Sequence, residues 1–432
     1  MASNSMDTEA EPTGVPMTIQ NPTHPKYTQS GPVGVPVTPS VKPLASNPAK
    51  GGQKEMEFSV KKYSWRELEL LTDSFSEENF IGNVKHGKVY RGKTEQGQEV
   101  TVKIWFRFES QNIDLANRHA NYSLTRLECE CTFLTHPDGM NHPNLVKLIG
   151  YCCEVEDHHL GVVYDLRSKD TLLNLIDKDD LNWNQRMQVA LAIARVLEYL
   201  HCHNPLYQLR FVHPALIMLD QDSNPVLFDF FMLSGGIVGD KQFVSYRDKS
   251  HLCYLPYLDI YFNGLGVWSL RSGQFSFAIV LIGLISKRAF SGENWKDETE
   301  QPLIWASDQY HTKLKSGFQP NDCHLVHESL KAEPGVHDLD GVALTKMIFH
   351  CMNFHSVKRP TMSQIVQCLQ GLHAFNGDFG VVEGLLRGWD SYTLPGKKKS
   401  SKWKGCLKTA CLGMKDDEID QGKKKDAQPI NH

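Results

Sequence analysis

Some residues in the chain have types and spacings that could do chemistry on their own. His201, Cys202 and His203 form an unbroken run, Cys129 and Cys131 lie two apart, and His136 and His142 punctuate the turn-rich string HPDGMNHPN. Imidazole and thiolate are the ligands of zinc. Structural zinc sites need two ligand pairs at definite spacing, however, and helical positions two apart do not share a face, so these sets read as ordinary core, helix-end and loop residues. A different chemistry is offered by KKKSSKWKGCLKTACLGMK, where the stretch from Lys397 to Lys408 gathers Lys397, Lys398, Lys399, Lys402 and Lys404 beside Trp403, Cys406 and Cys411. Clustered lysine next to tryptophan suits an anionic membrane surface, and palmitoylation of the cysteines would add a second anchoring signal. A solvated basic tail is the competing reading. Position 2 is alanine, so N-myristoylation is not expected.

The elements that position functional groups must come from a chain of 432 residues, 41% hydrophobic and 22% charged, enough to bury one large bilobal domain or two ordinary ones. A formal net charge of -4 supplies no basic field, so no nucleic-acid partner is expected. The 11 cysteines are odd in number and share no repeating spacing, which argues against a disulfide framework and for a reducing, cytoplasmic setting. Met1 to Gln20 lacks the basic and apolar regions of a secretory signal. The longest apolar run, Phe275 to Ile285, falls short of the roughly 20 residues of a membrane span and reads as a buried helix.

From residue 1 to about residue 57 the chain is rich in Pro, Thr, Ser, Asn and Gly without periodicity, the composition of a disordered tail. Order is expected from Tyr63, with a short amphipathic helix through Leu68, Leu70 and Leu71 that Ser64 and Glu67 can cap as a box. KVYRGK, the turn at Gly97 and EVTVKIWF read as a hairpin, followed by a helix through Leu127 to Leu134 and strands at Leu145 to Cys152 and Leu160 to Tyr164. Helical periodicity then takes over at Asn184 to His201, with Asn182 or Asn184 as the cap, and recurs at Phe275 to Ser286, Leu344 to Asn353 and Met362 to Leu372 behind Pro360. Beyond Gly377 the chain becomes a basic and polar tail.

The strings YSWRELELLTDSFSEENFIG, HPNLVKLIGYC, LNWNQRMQVALAIARVLEYLH and KRPTMSQIVQCL closely resemble the receptor-like and receptor-like cytoplasmic kinases of plants. The likeness runs in consistent order from Tyr63 to Leu372. It implies an α+β, bilobal protein-kinase-like fold, with a small strand-rich N-lobe over residues 63–166 and a larger helical C-lobe over residues 167–376. It also implies ATP and Mg²⁺ as cofactors, held weakly if at all, and partners such as receptor-like kinases or immune receptors.

Carried residue by residue, the resemblance marks nucleotide-binding positions at Gly82, Gly87, Val89, Lys103, Glu130 and Asp229. Kinases cover the phosphates with G-x-G-x-x-G so that backbone N–H groups approach closely. IGNVKHGKVY keeps Gly82 and Gly87 but puts Val84 at the middle glycine, which weakens that approach. Lys103 in VTVKI corresponds to the lysine that a helix glutamate orients toward the phosphates; Glu130 is its partner, with Glu128 the competitor.

The catalytic loop departs furthest from the family. Where kinases read H-R-D-L-x-x-x-N, this chain reads LRFVHPALIMLD. Arg210 keeps the structural arginine, Phe211 stands for the catalytic aspartate, His213 for the neighbouring lysine and Leu216 for the metal-binding asparagine. A phenyl ring cannot orient a hydroxyl and an isobutyl group cannot ligate Mg²⁺. Asp229, which opens the metal-binding D-F-G as Asp229, Phe230 and Phe231, retains one carboxylate for Mg²⁺. The Ala-Pro-Glu signature is unrecognisable in CYLPYLDIY, with Asp259 standing in for the glutamate that pairs with Arg359, and Gly273 replaces the aspartate that steadies the catalytic loop. Core positions survive while chemical ones do not, the pattern of a pseudokinase that acts as scaffold, decoy or allosteric regulator. The alternative is a low-efficiency serine/threonine kinase with an unconventional loop.

Overall fold

The computed structural model describes residues 57–84, 86–106, 113–239, 256–259, 269–290 and 301–389. The N-terminal tail up to residue 56 and the basic segment with Cys406 and Cys411 lie outside the described residues.

Alternating apolar residues in the first third pair into one six-stranded sheet: β1 (Lys61–Lys62), β2 (Phe80–Val84), β3 (Gly87–Lys93), β4 (Glu99–Trp105), β5 (Leu148–Glu154) and β6 (His159–Tyr164). The spatial order is β1-β5-β6-β4-β3-β2, antiparallel except for the β1–β5 edge. The expected strand from Leu145 begins instead at Leu148, and Leu145 forms an isolated bridge to Leu227. One face of the sheet is sealed by α1 (Trp65–Leu71), which starts on the Ser64–Glu67 capping box and buries Leu68 against Val100, Val102 and Val163. The other face carries α2 (Ile113–Thr135), much longer than the Leu127 to Leu134 expectation. Its first turns, IDLANRH, are too polar to show an apolar stripe, so periodicity revealed only the buried end.

The larger lobe is organised on the helix Trp183–His201, capped by Asn182 in a box with Gln185; Asn184 is not the cap. Beside it lie short strands that the sequence did not announce: β7 (Ser168–Thr171), β9 (Ile217–Asp220) and β10 (Pro225–Leu227) in one sheet, and β8 (Tyr207–Leu209) with β11 (Leu233–Gly235) in another. Three or four residues are too few for a visible period of two. The apolar run lies in the helix Ser272–Ser286, buried on every side. The helix expected from Leu344 begins earlier, at Asp338 behind the cap His337, and ends at Cys351. Met362–Gln370 starts at the cap Thr361, just after Pro360.

Among the described residues, a last helix follows Gly377. Residues 379–389 do not belong to a polar tail: Phe379–Trp389 is a helix that buries Val382 and Leu386 against the helices Asp338–Cys351 and Met362–Gln370. Gly380, Gly384 and Gly388 lower its intrinsic propensity and masked an apolar stripe that tertiary packing rescues.

Candidate nucleotide site and catalytic loop

Lys103 sits in the middle of β4, opposite Val89 on β3 and Val162 on β6, so its side chain enters the space between the lobes. It forms an ion pair there with Glu130 of α2, and Glu128 points to solvent. The pair is dry: Lys103 is 1% exposed and Glu130 2%. Tyr164 donates its hydroxyl to the second Glu130 oxygen, and the Lys103 ammonium lies 4.2 Å from the centre of the Trp105 ring. Burial pushes the Glu130 carboxyl up, while Lys103 pulls it back toward the charged form. Asp229 completes the group, its Oδ1 3.5 Å from Lys103 Nζ, on a backbone at φ +61. A non-glycine residue in this left-handed region is strained and held by its surroundings.

The catalytic loop between β8 and β9 is filled with hydrocarbon. Phe211, 1% exposed, stacks on His213 at 5.8 Å between centroids and 14° between planes, and meets the Phe231 ring at 5.8 Å. His213 in turn lies 4.4 Å from the Tyr257 ring and accepts a hydrogen bond from Ala215 N–H on Nδ1, at 3.1 Å. Full burial pushes its pKa down to about 3. Leu216, also 1% exposed, ends the single 3-10 turn Pro214–Leu216. Phe230 is buried against Phe133 of α2, with centroids 5.0 Å apart.

Two buried polar contacts lie beside this loop. Arg359 and Asp259 form a fully buried fork at 2.6 and 2.7 Å, and Ser272 Oγ also donates to the Asp259 carboxylate. Asp259 is thus the carboxylate partner of Arg359. Sequence reasoning missed Ser276, whose Oγ accepts the Val212 N–H at 2.9 Å and donates to Gly273 O at 3.1 Å. A backbone strut of this kind leaves no motif behind. Gly273 has its own reason, since a Cβ there would come within 2.7 Å of Leu209 O. Arg210 reaches Gln208 Oε1 at 3.3 Å and pairs its N–H with Met232 O.

The histidine and cysteine sets are placed in the core and at the ends of helices. Cys129 and Cys131 are core residues. His203 Nδ1 bonds Tyr199 O, while its Nε2 lies 3.5 Å from the Asp138 carboxylate that Tyr207 OH also reaches, at 2.7 Å. HPDGMNHPN is therefore an anchor that ties the end of α2 to the helical lobe. Among the described residues, one group has metal-holding proximity, Glu154, Asp157 and His159 on the β5–β6 hairpin. Glu154 accepts the Trp65 N–H and His159 stacks on the Trp65 ring at 4.3 Å, so these side chains dock α1.

Of the residues that would hold the ATP and Mg²⁺ implied by the resemblance, Lys103, Glu130 and Asp229 come together. The Gly82 face is turned toward the helical lobe: a Cβ there would sit 3.8 Å from Asn174 Nδ2 and 3.9 Å from Thr171 Cγ2. Lys103 is held by Glu130 and Asp229, and Leu216 supplies no oxygen for a metal. Gly87 and Val89 are buried in the β2–β3 hairpin; at Gly87 a Cβ would collide with Ile104 O at 1.8 Å, so that glycine serves strand packing.

Residues 75–369 match the family model for protein tyrosine and serine/threonine kinases. The Arabidopsis thaliana probable serine/threonine-protein kinase PBL21 is 29% identical over 334 residues, 76% of this chain and 79% of that protein. Serine/threonine-protein kinase BIK1 of the same plant is 28% identical over 72% of this chain and 76% of its own length. The LRR receptor kinase SERK2 of rice is 28% identical over 77% of this chain and 50% of itself. With the family match spanning both lobes, the chain belongs to the protein tyrosine and serine/threonine kinase family, with plant receptor-type and serine/threonine kinases among its relatives.

Proposed function

We propose that this chain is a kinase-fold protein that has lost phosphoryl transfer and works by binding other proteins. It would act as a scaffold, decoy or allosteric regulator among plant receptor-like kinases or immune receptors. The observation that carries the reading is the buried Phe211 ring, stacked on His213 and against Phe231 where the family places its catalytic aspartate. General-base assistance contributes about 10² to 10⁴-fold, with positioning and metal clamping beyond that. His213 is a poor replacement, because a base held near pKa 3 has little driving force to take a hydroxyl proton at neutral pH.

No helix among the described residues is long and apolar enough to cross a membrane. The reading places the protein in the cytoplasm, with Lys397 to Lys408, Cys406 and Cys411 as a peripheral contact to the plasma membrane. The low-efficiency kinase remains the second reading, favoured by the Lys103–Glu130 pair and by relatives whose names are those of kinases. Complementation of a plant lacking the protein tests the choice. Asp229→Asn, which removes the remaining metal-ligand charge, is expected to restore function as well as the unaltered chain; failure of a folded Asp229→Asn protein would favour the second reading.

A further inference from the structure

We propose that the cleft between the lobes is closed on itself by an interlobe latch, centred on Asn174 and Arg91, so that the protein accepts no nucleotide there. Asn174 Nδ2 donates to Ile81 O at 3.0 Å, reaching from the helical lobe to the strand that carries Gly82. The same amide donates to Asp170 Oδ1 at 2.6 Å, and Asn174 N–H bonds Thr171 Oγ1 at 3.3 Å. Both partners of Nδ2 are oxygens, which fixes the orientation of the amide. Arg91 on β3 makes the second crossing, from its Nη2 to Lys169 O on β7.

Between these crossings the two lobes approach each other closely. β2 lies directly against β7 and against the turn Pro214–Leu216. The facing side chains are dry: Ile81 is 5% exposed, Val84 4%, Leu216 1% and Lys103 1%. A kinase's glycine loop must stand off from the floor by the thickness of the nucleotide it covers. A Cβ built at Gly82 would stand 3.8 Å from Asn174 Nδ2 and 3.9 Å from Thr171 Cγ2, so this side of the strand faces side chains of the helical lobe. Opening the cleft would break both crossings and wet these side chains. The inference deepens the function proposed above but is separable from it, since an inactive kinase fold that binds ATP would retain that function and lack the latch.

The test combines ATP titration with the reactivity of Lys103. In the full chain, about 5 mM ATP with or without Mg²⁺ is expected to leave Tm unchanged. Acylation of Lys103 by an amine reagent, read by peptide mass spectrometry, is expected to run at least about tenfold slower than that of exposed Lys93. Asn174→Ala combined with Arg91→Ala should speed Lys103 labelling several-fold while Lys93 stays constant. A saturable rise of Tm with ATP in the unaltered chain overturns the proposal, as does Lys103 labelling at the Lys93 rate. If the double variant is folded and Lys103 stays protected, hydrophobic packing rather than the latch closes the cleft and the proposal fails. If the variant does not fold, the two measurements on the unaltered chain decide.

Discussion

Arg359 and Asp259 lock together through two parallel hydrogen bonds with no exposed side-chain surface on either partner. The fork joins residues 256–259 to the loop before the helix Met362–Gln370, and Ser272 adds a further donor to the same carboxylate. Removing one member strands a buried charge. Arg359→Ala or Asp259→Ala is expected to cost about 3–5 kcal/mol of unfolding free energy, measured by urea denaturation. A cost below about 1 kcal/mol would mean the pair is not the strut described here.

Ser276 offers a smaller and more local test. Ser276→Ala would leave the buried Val212 N–H without its acceptor, a loss of about 1–3 kcal/mol. Hydrogen exchange at Val212 should accelerate relative to neighbouring core amides in that variant; unchanged exchange would deny Ser276 its role in steadying the loop.

His213 ties stability to pH. Its folded pKa, about 3, lies below the ordinary histidine value near 6.5, so the unfolded chain binds a proton that the folded chain refuses. Stability from this group is therefore present above about pH 6.5 and lost as pH falls toward 3. The loss amounts to about 2 kcal/mol between pH 7 and 5. His213→Asn keeps an acceptor for Ala215 N–H but does not titrate, so its pH-stability curve should be flatter by that amount. Parallel curves for the two proteins would show that His213 is not buried in its neutral form. His324, pushed down to about 4 by burial, adds a slope of the same sign that remains in the variant.

Phe211 is now part of the core, and restoring an acid there should not restore an enzyme. Phe211→Asp places a carboxylate among His213, Phe231 and their neighbours and is expected to destabilise by about 3–5 kcal/mol. It still lacks the second metal ligand at Leu216. Denaturation and phosphate-transfer assays on this variant together check the claim, and a stable, active Phe211→Asp protein would refute it.

Much of this architecture could be read from residue order. The Ser64 capping box, the β3–β4 hairpin and the buried face of the helix Trp183–His201 follow from local chemistry, and the family resemblance brought Lys103 to Glu130 and Arg359 to Asp259 across long stretches of chain. What stayed hidden depends on tertiary context. The polar start of α2 and the glycine-spaced helix Phe379–Trp389 show weak intrinsic signals, and packing decides them. Ser276, Asn174 and Arg91 act on backbone groups, which any sequence presents, so nothing in their spacing marks their partners.

The central claim meets its most direct test in transfer of labelled γ-phosphate from ATP to the chain itself and to a general protein substrate, with Mg²⁺ or Mn²⁺ present. The purified full chain is expected to incorporate no more label than Lys103→Ala. Incorporation well above that control, abolished by Lys103→Ala in a folded protein, would contradict the account and restore the enzyme.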